Sequence, residues 1–143
     1  LKVATLFLLM SVWTNIQADS RDNFVQNVLP EKYPKLVGYL KSKGNLPVTW
    51  VSQTGERQKL TVELSESGTL TINTKIYSGP IGDMDTPTHI TMIDRNQDAT
   101  LDYIEYSMQG QEPYSFESPD DENSILFWEI ALAITMKYSN CCH

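Results

Sequence analysis

Between Asp94 and Glu105 the chain sets oxygen-bearing residues at nearly alternate positions: Asp94, Asn96, Asp98, Thr100 and Asp102, then Glu105. Counted from Asp94 these are positions 1, 3, 5, 7, 9 and 12 of a twelve-residue segment. A hard divalent cation such as calcium takes roughly six to eight oxygens at ~2.3–2.6 Å, and a short loop supplies them when every second residue turns an oxygen inward. Asp94, Asn96 and Asp98 would offer side-chain oxygens and Thr100 its backbone carbonyl. Asp102 would act directly or through a water, and Glu105 could close the site with both carboxylate oxygens. Position 6 is Ala99, where the sharp turn favours glycine because a Cβ conflicts with the left-handed backbone. Holding alanine there costs on the order of 1 kcal/mol, about fivefold in affinity. The competing account of the same residues is an acidic hairpin turn without a metal.

In this spacing the segment resembles the EF-hand calcium loop and the related Asp-x-Asp-x-Asp-Gly loops of exported bacterial proteins, some of which lie between strands. The resemblance covers twelve of the 143 residues. It implies Ca2+ as the bound ion, with Asp94, Asn96, Asp98, Thr100, Asp102 and Glu105 as its ligands. Weak sites of ~10⁻⁴–10⁻³ M still fill where calcium is abundant outside the cell. The rest of the chain resembles no named family.

Other chemistry has thinner support. His89, with Asp83, Asp85 and several serines, lacks the Gly-x-Ser-x-Gly elbow or another activating context, so it reads as an ordinary strand residue. No pair of carboxylates stands out for glycoside hydrolysis. Trp50, Phe127 and Trp128 are assigned to the core rather than to a sugar platform.

The elements that must position the loop follow from periodicity. Thr88-His89-Ile90-Thr91-Met92-Ile93 is rich in β-branched residues and follows Pro87, which predicts a strand and leaves no room for an entering helix. Leu101 to Met108 reads either as the return strand of a hairpin or as the start of a helix, and its aromatic and β-branched content favours the strand. Upstream, Val48 and Trp50, then Leu60, Val62 and Leu64, then Leu70, Ile72, Thr74 and Ile76 alternate with their neighbours. These predict a three-stranded antiparallel meander from Val48 to Tyr77, turned at Gly55 and Ser65-Glu66-Ser67-Gly68, with residues 79–87 as a loop.

Two helices are expected ahead of the sheet. One is capped at Ser20-Arg21-Asp22, carries Phe24, Val25 and Val28, and stops near Pro30. The other starts around Pro34, carries Tyr33, Leu36, Val37 and Leu40, and closes at Gly44-Asn45. A last helix has Ser118 as N-cap and Pro119 in its first position, and its nearly all-apolar run from Ile125 to Tyr138 predicts burial across the sheet. The fold class is α+β: a mostly antiparallel sheet, meander plus hairpin, with N-terminal helices and a buried C-terminal helix.

Residues 1–18 read as a secretory signal peptide, with Lys2, an apolar run from Val3 to Trp13 and small Ala18 before the cleavage point. The run is shorter than the ~20 residues that span a bilayer, although a retained anchor is the alternative. Residues 19–143 then form one exported domain, periplasmic or secreted, with no membrane span left. Without Lys2, 18 acidic face 10 basic residues, a balance of −8. Such a surface repels nucleic acid and suits a cation, a basic protein partner or plain solubility. Cys141 and Cys142 are neighbours, and Cα atoms ~3.8 Å apart fall below the usual ~4.4 Å minimum for a disulfide. They are expected on a frayed tail as thiols, with an intermolecular bridge or a soft-metal site with His143 as alternatives. The leading expectation for function is an exported, non-enzymatic, calcium-binding interaction module with an unidentified protein partner. The alternatives are an acidic periplasmic inhibitor or immunity-type protein with a metal-free loop, and a small exported hydrolase.

Overall fold

The computed structural model of the chain describes residues 18–51, 55, 57–77, 87–108 and 110–142. The expected leader, apart from Ala18, and the expected loop at 79–87, apart from Pro87, lie outside them. Period-two alternation becomes six strands: β1 (Asn45–Val51), β2 (Arg57–Leu64), β3 (Leu70–Tyr77), β4 (Pro87–Asp94), β5 (Tyr103–Met108) and β6 (Tyr114–Glu117). Each pairs antiparallel with the next, so the sheet is a meander in chain order. The return from the Asp94 loop is a strand, as its composition favoured. Short β6 carries no alternating signal because all four of its residues are exposed, and sequence reasoning missed it.

One face of the sheet is covered by helices. Leu46, Val48, Leu60, Val62, Leu70, Ile72, Ile90, Met92, Ile104 and Tyr106 point to that face and are buried. They meet Leu36 and Leu40 from the N-terminal side and Phe127, Ile130 and Ile134 from the C-terminal helix in one continuous core. Trp50, Phe127 and Trp128 belong to this core, as expected. Burial of apolar surface on this scale, at roughly 25 cal/mol per Å², is the main force holding the layers together.

The N-terminal helices differ from expectation. Helix α1 (Ala18–Asn23), a π-helical turn (Phe24–Val28) and α2 (Leu29–Lys43) run on without a break. Pro30 stands in the first turn of α2, where a missing N–H costs little, and the π turn just before it, with Leu29 N–H bonded to the Phe24 carbonyl, loosens the spiral ahead of its ring. Pro34 sits inside α2. Both prolines are exposed, which leaves the carbonyl that Pro34 cannot bond open to solvent. Gly44, at φ 84, ends the helix.

Helix α3 (Glu122–Tyr138) starts later than Ser118-Pro119 suggested. Its N-cap is Asp121, whose Oδ2 accepts from Ser124 N–H at 3.0 Å and from Ser124 Oγ at 2.8 Å. Ser118 is instead at φ 45 and donates its N–H to the Asp102 carbonyl. Arg21 donates to Glu129 at 2.8 Å, which ties α1 to α3 and holds the guanidinium pKa above its ordinary value.

The C-terminal cysteines also correct the expectation: Cys141 and Cys142 are bonded to each other across Cα atoms 3.8 Å apart. The tail is packed, with Cys142 2% exposed and its carbonyl accepting from Lys32 Nζ at 2.8 Å. The bond closes a small ring through the shared peptide, at a Cα separation below the usual ~4.4 Å minimum. The reassigned cap is checked by urea unfolding. Asp121→Ala is expected to lose ~1 kcal/mol, whereas Ser118→Ala, which removes no hydrogen-bonding partner, should lose much less.

Candidate metal centre

The loop that carries the alternating oxygens connects β4 to β5, and Asp102 N–H closes it on the Ile93 carbonyl at 2.8 Å. Gln97 and Ala99 have φ 61 and 68. Position 6 thus takes the left-handed conformation that spacing demanded, with alanine bearing the Cβ conflict.

Asp94 is 0% exposed, the only charged residue so deeply buried among the described residues. Its Oδ1 accepts from the N–H groups of Asn96 at 3.2 Å and Gln97 at 3.0 Å. Its Oδ2 accepts from Ala99 N–H at 2.9 Å and from Tyr33 Oη at 2.5 Å. A carboxylate offers about four acceptor directions, so its desolvation is fully answered.

Asp98 and Asp102 approach this buried group, and one oxygen from each of the three carboxylates lies within 4.8 Å of the others. Asp98 Oδ1 accepts from Thr100 N–H at 2.9 Å, and Asp102 Oδ2 from Arg95 N–H at 2.7 Å. Among the described residues Asp98 Oδ2 and Asp102 Oδ1 accept no hydrogen bond, and no basic side chain forms an ion pair with the cluster. Arg95 turns to Glu117 instead, at 2.7 and 3.2 Å, and lies 5.4 Å over the Tyr103 ring. Two unit charges at ~4 Å repel by about 1 kcal/mol in water and about 4 kcal/mol at an effective dielectric of about 20. Three converging carboxylates therefore form a seat that a divalent cation would relieve. All-oxygen donors suit a hard divalent cation, with open positions on Asp98 and Asp102 and with Asp94 as the anchor beneath them.

Of the other expected ligands, Asn96 and Thr100 lie in the same loop and are exposed, as Asp98 is, whereas Glu105 is placed differently. Glu105 lies in β5 opposite Thr91 and Ser115. Alternation along a strand sends it to the face opposite Ile104 and Tyr106, roughly 10 Å along the chain from Asp102. It is not part of the three-carboxylate group. In a helical exit loop the twelfth residue swings back over the ion, whereas a strand carries it away. His89 is an exposed residue of β4, as expected, while Asp83 and Asp85 lie outside the described residues.

Sequence reasoning missed the groups that hold the loop from outside. Tyr33 reaches it from α2. Trp128 Nε1 donates to the Ala99 carbonyl at 2.9 Å from α3. Gln97 Nε2 donates to the Gly68 carbonyl at 3.1 Å in the β2–β3 turn, and a Cβ at Gly68 would sit 2.8 Å from that nitrogen. No local signal marks these contacts, since each joins residues distant in the chain. No protein-family model, curated protein or solved structure matches the chain.

Burial first, and then the bond to Asp94 and the charges of the cluster, hold the Tyr33 phenol far above its ordinary pKa of 10.0. A raised folded-state value contributes stability below pH 10.0 that is lost as pH climbs further, because only the unfolded chain releases that proton readily. Tyr33→Phe is expected to cost ~1–3 kcal/mol at neutral pH by stripping a donor from a buried carboxylate. It should also flatten the alkaline fall in stability, measured by urea unfolding across the pH range. Ala99→Gly relieves the left-handed strain against the greater freedom of an unfolded glycine, and a net gain of ~0.5–1 kcal/mol in the same measurement is expected.

Proposed function

We propose that this chain is an exported, non-enzymatic interaction module whose β4–β5 loop is rigidified by a bound calcium ion. The observation that carries the reading is the convergence of Asp94, Asp98 and Asp102 within 4.8 Å, with no basic side chain in ion-pair contact among the described residues. In this reading Asp98 and Asp102 hold the ion, Asp94 fixes the loop beneath it, and Asn96 and Thr100 are the further ligands that the spacing suggests, with Glu105 left on the opposite face of the sheet. The ion would supply charge neutralisation and a fixed loop for recognition of a protein partner. No chemical step is assigned to it.

A second reading has its own support. The four donors on Asp94 let the loop keep its form without a metal, which suits an acidic inhibitor whose loop is an ordinary turn. Thermal unfolding in calcium and in chelator separates the two. At about tenfold above the dissociation constant, a ligand confined to the folded state adds ~1.4 kcal/mol, or roughly 5 °C for a domain of this size. Asp98→Asn together with Asp102→Asn should abolish that shift. Equal midpoints in millimolar calcium and in chelator would leave the metal-free reading.

A further inference from the structure

The sheet face turned away from the helices carries a second charged constellation of opposite sign. Strand register sets two short cross-strand rows that adjoin at the β2–β3 boundary, Thr49–Lys59 and Lys75–His89–Ser107. The β2–β3 pairing ends at Leu60–Thr74, and Lys59 and Lys75 stand just beyond it on adjacent strands, lining one cavity. Arg57, two residues before Lys59, points to the same face. All four basic residues are exposed, and a cavity of about 280 Å³ is lined by Arg57, Gln58, Lys59 and Lys75.

None of these four forms an ion pair among the described residues, where the salt bridges join Arg21 to Glu129 and Arg95 to Glu117. Acids on this face stand farther along the strands. Glu105 pairs with Thr91, one row beyond His89, and Glu63 lies two rows beyond Lys59, or ~7 and ~13 Å away. Like charges close together on neighbouring strands destabilise a sheet. The chain has 18 acidic and 11 basic residues, yet among the described residues no carboxylate forms an ion pair with this group.

We propose that Arg57, Lys59, Lys75 and His89 form a binding site for a multivalent oxyanion, a phosphate or sulfate group held free or as an ester on a larger molecule. A bound anion turns the repulsion within the group into attraction. Arg57 supplies a planar fork for two oxygens, and the lysines supply mobile point charges on either side. The site lies roughly 17 Å along β4 from Asp94 and owes nothing to the reading of the acidic loop.

Isothermal titration of the full chain at low ionic strength, with inorganic pyrophosphate in one arm and a sulfated disaccharide in the other, tests this. Saturable binding in at least one arm is expected, and the stronger arm identifies the source. Lys59→Gln with Lys75→Gln should weaken it by roughly tenfold or more, and Arg57→Gln alone should weaken it less. Lys41→Gln with Lys43→Gln, at the end of α2, should leave it unchanged. Exposed strand positions tolerate these changes, and circular dichroism checks that the fold is retained. Absence of saturable binding in both arms, or equal binding by the Lys59→Gln/Lys75→Gln variant, would overturn the proposal.

Discussion

A carboxylate removed from water costs several kcal/mol unless hydrogen bonds replace its hydration, and Asp94 is removed completely. The fold answers with three backbone amides of its own loop and one phenol from α2. The amides can reach the carboxylate only if the chain doubles back tightly, which explains the left-handed backbone at Gln97 and Ala99. The phenol can reach it only if α2 lies across this end of the sheet. One buried charge therefore couples a loop conformation to the docking of a helix.

Other elements converge on the same place. Trp128 fastens α3 to the loop, Gln97 fastens the β2–β3 turn, and Ser118 with Glu117 brings in β6. The Arg95–Glu117 pair is exposed and adds direction more than energy, although it holds the Glu117 carboxyl below its ordinary pKa. These attachments tie the loop to the fold as an acidic corner. At the other end of the strands the open face is basic, so the sheet carries a charge gradient along its strands that the net balance of −7 conceals.

The layered fold was legible because burial imposes a period. Val48 and Trp50, Leu60 and Val62, and Leu70 and Ile72 alternate, and only a sheet with one covered face satisfies that pattern. The apolar run of α3 likewise announced a buried helix. Local punctuation was less dependable. Pro30 and Pro34 signalled a break that the π turn and solvent exposure removed. Ser118-Pro119 resembled a helix start, but Asp121 had the better geometry with Ser124 at hand. Short β6 buries nothing, so it had no pattern to read.

What the sequence determined by itself was the period of each major element and the presence of closely spaced oxygens between Asp94 and Glu105. The left-handed requirement at position 6 was also contained in it, because a tight turn limits φ locally whatever surrounds it. Tertiary structure alone decided which of those oxygens converge. Asp94, Asp98 and Asp102 meet because the loop bends over a buried carboxylate, while Glu105 follows a strand whose alternation sends it to the opposite face. Tyr33, Trp128 and the group of Lys59, Lys75 and His89 were equally invisible in one dimension. Their meaning depends on register and helix docking, which are set by the whole core and not by neighbours in the chain.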